Sequence, residues 1–144
     1  TSEVIRKCFE ELMLNNIDLT GIILKPNMIL PGNKSVKKIS SEEVAKLTLK
    51  CLEENVPTNV PGVAFLSGGQ TEIQATENLN LINKNNDTNF IMTYSYGRAL
   101  QQSALKFWSK NIKNINGTQI VFNHRANMCT LAAQGKWSTE LETK

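Results

Sequence analysis

A lysine directly after a short apolar segment is the residue in this chain with the clearest capacity for chemistry. Lys25 follows Ile22, Ile23 and Leu24 and is itself followed by Pro26. A short apolar run is typical of a strand buried on both faces of a parallel sheet, and a proline ends such a strand because it has no N–H. α/β folds place their reactive groups at the carboxyl ends of these strands.

The amine of Lys25 is therefore a candidate nucleophile. A lysine held in apolar surroundings loses its proton more easily, and only the neutral amine attacks a ketone or an aldehyde. The alternative is an ordinary lysine at the end of a strand, with its ammonium group extended into water.

Ser67, Gly68 and Gly69 follow a second apolar segment, residues 63–66. Paired glycines let backbone N–H groups approach an anion closely, and the start of a following helix adds positive partial charge. The Ser67 hydroxyl is a further donor. The sequence therefore suggests a phosphate site here, although a glycine pair is also common in a tight turn between a strand and a helix.

Ser95, Gly97 and Arg98 follow a third apolar segment, residues 90–94. An arginine at the amino end of a helix is unfavourable unless an anion joins it, and a guanidinium group suits a phosphate. The alternative is that Arg98 pairs with a neighbouring carboxylate. A nucleophilic lysine beside a phosphate clamp indicates Schiff-base chemistry on a phosphorylated ketose, and a nearby arginine would also favour the neutral amine.

Composition excludes several other classes of protein. The chain has 144 residues, 40% hydrophobic and 20% charged, which is typical of one globular domain. The net charge is +3, and no aromatic stripe accompanies its densest basic cluster, Lys34, Lys37 and Lys38. We therefore expect no nucleic-acid partner. No run approaches the ~18 apolar residues that span a bilayer, and no secretory signal is visible, so we expect no membrane association.

The cysteines and the single histidine argue against a metal site. Cys8, Cys51 and Cys129 are odd in number and widely spaced, which suits a reducing cytosol and free cysteines packed as small hydrophobes. His124 has no second histidine to join it in a metal site or a relay, so a surface or packing role is expected. No metal or cofactor is predicted.

Helix and strand signals alternate along the whole chain. The patterns predict helices over residues 3–15, from Ser40 to Asn55, from Thr71 onwards, around Ala99–Trp108, and over residues 118–134. The resulting α-βα-βα-βα-α order implies parallel strands. Three parallel strands would leave both sheet edges exposed, and a closed barrel needs eight strands and ~250 residues. We expect the carboxyl-terminal part of a larger (β/α)8 barrel, or half of an assembly, with residues 1–144 in one domain.

Three segments of the chain resemble class I fructose-bisphosphate aldolase. They are Leu24-Lys25-Pro26-Asn27-Met28, Leu66-Ser67-Gly68-Gly69-Gln70-Thr71-Glu72, and Ser95-Tyr96-Gly97-Arg98-Ala99-Leu100-Gln101 continuing to Trp108. The closing segments, residues 122–126 and 131–135, are similar to the bacterial branch of that family. The resemblance implies a TIM barrel, a glycolytic lyase of the cytoplasm, and a homo-oligomer when full length.

The resemblance also implies roles for individual residues. Lys25 would form the Schiff base with fructose 1,6-bisphosphate, and cleavage would yield dihydroxyacetone phosphate and glyceraldehyde 3-phosphate. Ser67, Gly68, Gly69, Ser95, Gly97 and Arg98 would hold a substrate phosphate.

The chain departs from the family pattern at both ends. It resembles the family only from its sixth strand onwards, so the upstream glutamate base, aspartate and lysines are expected to be absent. A carboxyl-terminal tyrosine tail, found in many animal members, is also expected to be absent, as in the bacterial type. We therefore expect little or no aldolase activity from residues 1–144 alone. The alternatives are a non-catalytic half-barrel that binds phosphate or a complementing chain, and another Schiff-base lyase such as a transaldolase.

Overall fold

Helices and strands alternate in the computed structural model, which describes residues 1–32, 34–36 and 39–143. The helices in those ranges are α1 (Ser2–Leu14), α2 (Ser41–Asn55), α3 (Glu72–Lys84), α4 (Arg98–Lys110) and α5 (Ile115–Ala133). The strands are β1 (Ile23–Leu24), β2 (Gly62–Phe65) and β3 (Ile91–Tyr94), and short 3₁₀ turns span Leu19–Gly21 and Thr139–Thr143. This order confirms the predicted alternation.

The three strands form one parallel sheet in the order β1-β2-β3. Phe65 at the end of β2 lies opposite Tyr94 at the end of β3. Beyond β1, the N–H of Leu66 donates to the carbonyl of Pro26 at 3.0 Å, so the first two strands stay side by side where they end. Because the strands are parallel, the segments that follow them all leave from one edge of the sheet.

Helices cover one face of this sheet and leave the other open. Val63 and Phe65 are fully buried, and Met92 is nearly so. On the opposite face, Ile23 is 69% exposed and Ile91 is 75% exposed. The prediction that the first strand is buried on both faces is therefore wrong, because no described residue covers its second face.

Two helices begin at the caps that the sequence predicted. At the start of α2, Ser40 Oγ accepts a hydrogen bond from the N–H of Glu43 at 3.3 Å. At the start of α3, Thr71 and Gln74 form a complete capping box, in which each side chain accepts from the other residue's N–H. Only the cap of α3 is a reciprocal box, but each cap satisfies a backbone donor that a helix start would otherwise leave without a partner.

The last helix begins earlier than predicted. It starts at Ile115 rather than Thr118, because Asn114 Oδ1 accepts a hydrogen bond from the N–H of Gly117 at 3.0 Å and caps the helix. Gly135 follows the helix with a φ of +67°, a left-handed conformation that glycine adopts without a steric cost. The predicted stop at Gly135 is confirmed.

Two of the three cysteines pack as small hydrophobes, as predicted. Cys51 and Cys129 are buried, and all three thiols are free. Cys8 is exposed, contrary to the prediction. The reason is that the buried stripe of α1 is narrow and contains only Ile5 and Phe9.

Candidate functional site

The three predicted segments lie side by side at the carboxyl edge of the sheet. Lys25 follows β1, residues 67–69 follow β2, and residues 95–98 follow β3. Adjacent strands are separated by about 4.8 Å, so the strand before Lys25 is about 10 Å from the strand that leads to Arg98. The tertiary structure therefore places the three segments that the sequence singled out at the same edge of the sheet.

Lys25 lies on the open face of the sheet. Ile23 is on that face, and side chains two residues apart in a strand point the same way. An apolar depression of about 200 Å³ on the sheet is lined in part by Ile23, Ala64, Ile91 and Thr93. Lys25 itself is exposed, so the described residues do not enclose its amine in the apolar surroundings that the sequence predicted.

Gln70 joins the lysine segment to the glycine segment. Its Nε2 donates to the carbonyl of Ser67 at 2.9 Å and lies 3.5 Å from the sulfur of Met28, which is fully buried. Its Oε1 accepts a hydrogen bond from Asn78 Nδ2 at 2.6 Å. Gln70 lies within one of the three family-like segments, but nothing in the sequence predicted these contacts. The only sequence signal for these contacts was that Gln70 directly follows the two glycines. That signal is weak, because a polar residue in such a turn is usually exposed.

Residues 67–70 form a tight turn. The N–H of Gln70 donates to the carbonyl of Ser67 at 3.0 Å, and Gly68 and Gly69 have φ values of +57° and +83°. Positive φ at both central residues is typical of a type I′ turn, which L side chains rarely adopt. A Cβ at Gly69 would meet no atom within 4 Å, so an anion can approach the backbone at that position.

Arg98 is the first residue of α4. Gly97 is the N-cap and supplies no side-chain cap, so the first N–H groups of the helix can bind an anion. Arg98 is exposed, and it forms no ion pair with any carboxylate of the described residues. Pairing with a neighbouring carboxylate, the alternative that the sequence left open, is therefore not observed. Ser95, also exposed, continues the open face of β3.

Tyr96 ties the arginine segment to α3. Its hydroxyl donates to the carbonyl of Ala75 at 2.9 Å, and its side chain is buried. Burial, followed by the nearby Cys129 and Tyr94, raises the pKa of Tyr96 well above its ordinary value. The phenol therefore stays protonated and remains a donor.

Glu72, the first residue of α3, contacts α4, the helix that begins at Arg98. Its Oε1 accepts a hydrogen bond from the N–H of Ser103 at 2.9 Å, and its Oε2 accepts one from the Ser103 hydroxyl. In the sequence, Glu72 is only the last residue of one family-like segment. Its partner is 31 positions away in the sequence, so no local pattern could have revealed this contact.

The described part of the chain contains no group of three His, Cys, Asp or Glu side chains that could hold a metal ion. Within the same ranges, no helix is long and apolar enough to cross a membrane. His124 Nε2 lies 3.6 Å from Glu142 Oε2 on a partly buried surface. Lys37 and Lys38 of the basic cluster lie outside the described residues.

Comparison with known proteins gives one family along the whole chain. The family model for fructose-bisphosphate aldolase class-I matches residues 1–144. A probable fructose-bisphosphate aldolase class 1 of Xylella fastidiosa is 44% identical over 138 residues, which are 95% of this chain and 41% of that protein. The fructose-bisphosphate aldolase of Dictyostelium discoideum is 41% identical over 143 residues, which are 99% of this chain and 40% of that protein.

A solved structure agrees with the sequence matches. Fructose-bisphosphate aldolase from Plasmodium falciparum, crystallised with TRAP and a small-molecule inhibitor, matches with a TM-score of 0.91 and 39% identity. The match covers 95% of this chain and 40% of that one, so the chain spans well under half the length of these relatives. The chain therefore belongs to the class I fructose-bisphosphate aldolase family and corresponds to the carboxyl-terminal portion of its barrel.

Proposed function

We propose that this chain supplies the Schiff-base lysine and a substrate phosphate site to an enzyme that cleaves fructose 1,6-bisphosphate. The observation that carries the proposal is that Lys25 and the two segments predicted to bind an anion share one edge of a parallel sheet in a chain of this family. The phosphate ligands in this proposal are Ser67, Gly68, Gly69, Ser95, Gly97 and Arg98.

In the proposed mechanism, the neutral amine of Lys25 adds to the ketone carbon of the substrate, and loss of water forms a protonated imine. The imine accepts the electron pair of the carbon–carbon bond that breaks, while the hydroxyl on the far carbon loses its proton. Glyceraldehyde 3-phosphate leaves, and an enamine remains on the lysine. Protonation of the enamine and hydrolysis then release dihydroxyacetone phosphate and regenerate the amine.

The phosphate site orients the substrate for this attack. The guanidinium group of Arg98 supplies charge, the start of α4 supplies backbone donors, and the turn at Gly68 and Gly69 presents an open stretch of backbone. Holding the phosphate at one end of the site fixes the distance from the ketone carbon to Lys25, which converts binding energy into rate.

Borohydride trapping with dihydroxyacetone phosphate tests the lysine in the complete enzyme that we propose. We expect the reduced adduct on Lys25 and its loss in Lys25→Met. Lys46→Met is the matched control, since Lys46 is an exposed lysine of α2, and its labelling should equal that of the unchanged protein. Labelling that persists in Lys25→Met, or that maps to another lysine, would contradict the assignment.

The second candidate function is a non-catalytic half-barrel that binds phosphate or a complementing chain. The observation that favours it is the open sheet face, where Ile23 and Ile91 are exposed and the amine of Lys25 is not enclosed. A general base typically contributes ~10²–10⁴-fold in rate, and the catalytic glutamate that the family resemblance implies has no counterpart among residues 1–144. We therefore expect residues 1–144 alone to show little or no cleavage.

Complementation separates these two functions. Residues 1–144 are mixed with the amino-terminal part of a class I aldolase, and cleavage of fructose 1,6-bisphosphate is measured. Restored turnover that Lys25→Met abolishes supports the catalytic proposal. A complex that forms without any turnover supports the half-barrel.

Family membership also supports a biological setting. We propose that the full-length protein acts in glycolysis, in the cytoplasm, and as a homo-oligomer. Its mass in solution, measured by sedimentation, tests the oligomeric state, and a single-chain mass would contradict it.

A further inference from the structure

We propose that Glu72 is a positioning residue that fixes Arg98 relative to the glycine turn. The inference rests on the proposed phosphate site, because it explains how two segments from different strands are held at a constant separation. Glu72 does not contact the phosphate in this proposal. It acts through α4, whose first residue is Arg98.

The contact itself is specific. The two carboxylate oxygens of Glu72 accept hydrogen bonds from two donors of one residue, the N–H and the hydroxyl of Ser103. A hydrogen bond to an ionised acceptor is roughly twice as strong as a neutral one, and two such bonds also fix direction. Both residues are partly buried, which limits competition from water.

On one side, the contact holds α4. Ser103 is five positions after Arg98, about 7.5 Å along the same helix. Because a helix moves as a rigid unit over that length, a fixed Ser103 determines where the helix begins. No hydrogen bond or ion pair to a described residue holds the guanidinium of Arg98 itself, so its place depends on the anchoring of α4.

The other end of the contact is Glu72, which begins α3 shortly after the glycine turn. Glu72 lies three positions after Gly69. The capping box of Thr71 and Gln74 sets the start of α3 at this point. Within the turn, the side chain of Gln70 donates a hydrogen bond to the carbonyl of Ser67. A continuous set of bonded residues thus connects the glycine turn to α4 and hence to the arginine.

A contact that merely stabilises the fold would lower the free energy of unfolding without a specific effect on phosphate binding. A positioning contact would instead raise the KM for fructose 1,6-bisphosphate, and its effect would vanish once Arg98 is gone. These two outcomes differ in a double-mutant cycle.

The experiment measures KM and kcat of the full-length protein for Glu72→Ala, Arg98→Met and the double variant. We expect Glu72→Ala to raise KM about tenfold, since small displacements of a binding group can cost up to 10²-fold. Arg98→Met should raise KM by at least as much, and the double variant should be no worse than Arg98→Met. The matched control is Glu77→Ala, since Glu77 is also on α3 but bonds to no described side chain.

Two further variants keep the test decisive if Glu72→Ala folds poorly. Glu72→Gln retains an oxygen acceptor for the N–H of Ser103 and an amide donor for its hydroxyl, so it should keep KM near the original value. Ser103→Ala removes only the hydroxyl and should raise KM by a smaller factor than Glu72→Ala.

The possible failures are distinguishable. If Arg98→Met leaves KM unchanged, the proposed phosphate site is wrong. If Arg98→Met raises KM but Glu72→Ala behaves like Glu77→Ala, or if the two effects multiply independently, the phosphate site stands and the role of Glu72 is overturned.

Discussion

Arg125 and Glu142 form a bidentate ion pair that ties the carboxyl-terminal turn to α5. The two nitrogen–oxygen distances are 2.9 and 2.6 Å, and the side chains are only 7% and 12% exposed. Trp137 Nε1 also donates to Glu142 at 2.8 Å, and Arg125 donates to Thr76 on α3 at 3.2 Å. One carboxylate therefore holds together three parts of the chain.

Removing that carboxylate should be costly. Glu142→Ala leaves the buried guanidinium of Arg125 without its counter-charge, so we expect a loss of about 3 kcal/mol in the free energy of unfolding. Urea unfolding measures this loss in the free energy of unfolding. Glu140→Ala changes an exposed carboxylate of the same turn and should cause a much smaller loss. Equal losses in the two variants would mean that the buried pair contributes nothing.

The same carboxylate predicts a pH dependence of stability. Burial alone would raise the pKa of Glu142, but hydrogen bonds from Arg125 and Trp137, and the charges of Arg125 and His124, outweigh it and lower the pKa below the ordinary 4.5. The unfolded chain therefore binds this proton first as the solution is acidified. The stabilisation is present above pH 4.5 and is lost as the pH falls through the folded-state pKa.

Stability curves of the original protein and Glu142→Gln should reveal this contribution. Since glutamine does not titrate, Glu142→Gln should lose less stability than the original protein between neutral pH and the acid side of 4.5. Carboxylates that remain, such as Asp18, titrate in both proteins and cancel in the difference. Parallel curves for the two proteins would contradict the role of Glu142.

At the scale of elements, the turn after β2 is where backbone geometry and proposed chemistry coincide. Its two glycines are in the left-handed region, and the side of Gly69 is open. The conformation required by the turn is therefore also one that leaves its backbone accessible. Its neighbours Gln70 and Glu72 connect it to the other two segments.

Gly69→Ala tests this turn. We expect it to lower the free energy of unfolding by about 1–2 kcal/mol, because an L side chain is strained at positive φ, and to raise KM as the turn shifts. Gly69→Asn should cost less, since asparagine tolerates this region better. Gly21→Ala is the control, because a Cβ there meets no atom within 4 Å and its φ is not positive. Similar urea midpoints for Gly69→Ala and Gly21→Ala would refute the strain argument.

At the scale of the whole molecule, the open face of the sheet exposes apolar side chains to solvent. It carries Ile23 and Ile91, and in a closed (β/α)8 barrel this face becomes the packed interior. The exposure of these residues therefore follows from the three-stranded sheet, which is less than half of an eight-stranded barrel. The same closure would enclose Lys25.

Ile91→Asp tests whether this face of the sheet is packed inside a closed barrel in the complete enzyme that we propose. A carboxylate without a partner inside a barrel should cost at least about 3 kcal/mol, measured by urea unfolding. Val36→Asp is the control, because Val36 is fully exposed on a loop and its replacement should leave the unfolding midpoint in place. An unchanged midpoint for Ile91→Asp would show that this face stays in contact with water.

The sequence by itself determined the order of elements and the caps of two helices, and its motifs indicated the family that the comparisons then showed. These features depend on local patterns: apolar spacing along helices, the Ser40 and Thr71 caps, and the glycine that ends α5. It also determined that Lys25 directly follows a strand and that Arg98 stands where the next helix begins after the third strand. Where the prediction was wrong, as at the start of α5, a local hydrogen bond that Asn114 Oδ1 accepts from the N–H of Gly117 overrode the pattern.

Only the tertiary structure decided which residues support that site and what surrounds the lysine. The partners of Glu72 and Glu142 are 31 and 17 positions away, so folding chooses them and sequence spacing does not reveal them. The exposure of Ile23 and Lys25 likewise depends on which elements cover the second face of the sheet. Burial is a property of the assembled layers, whereas helix and strand formation is largely a property of the neighbouring residues.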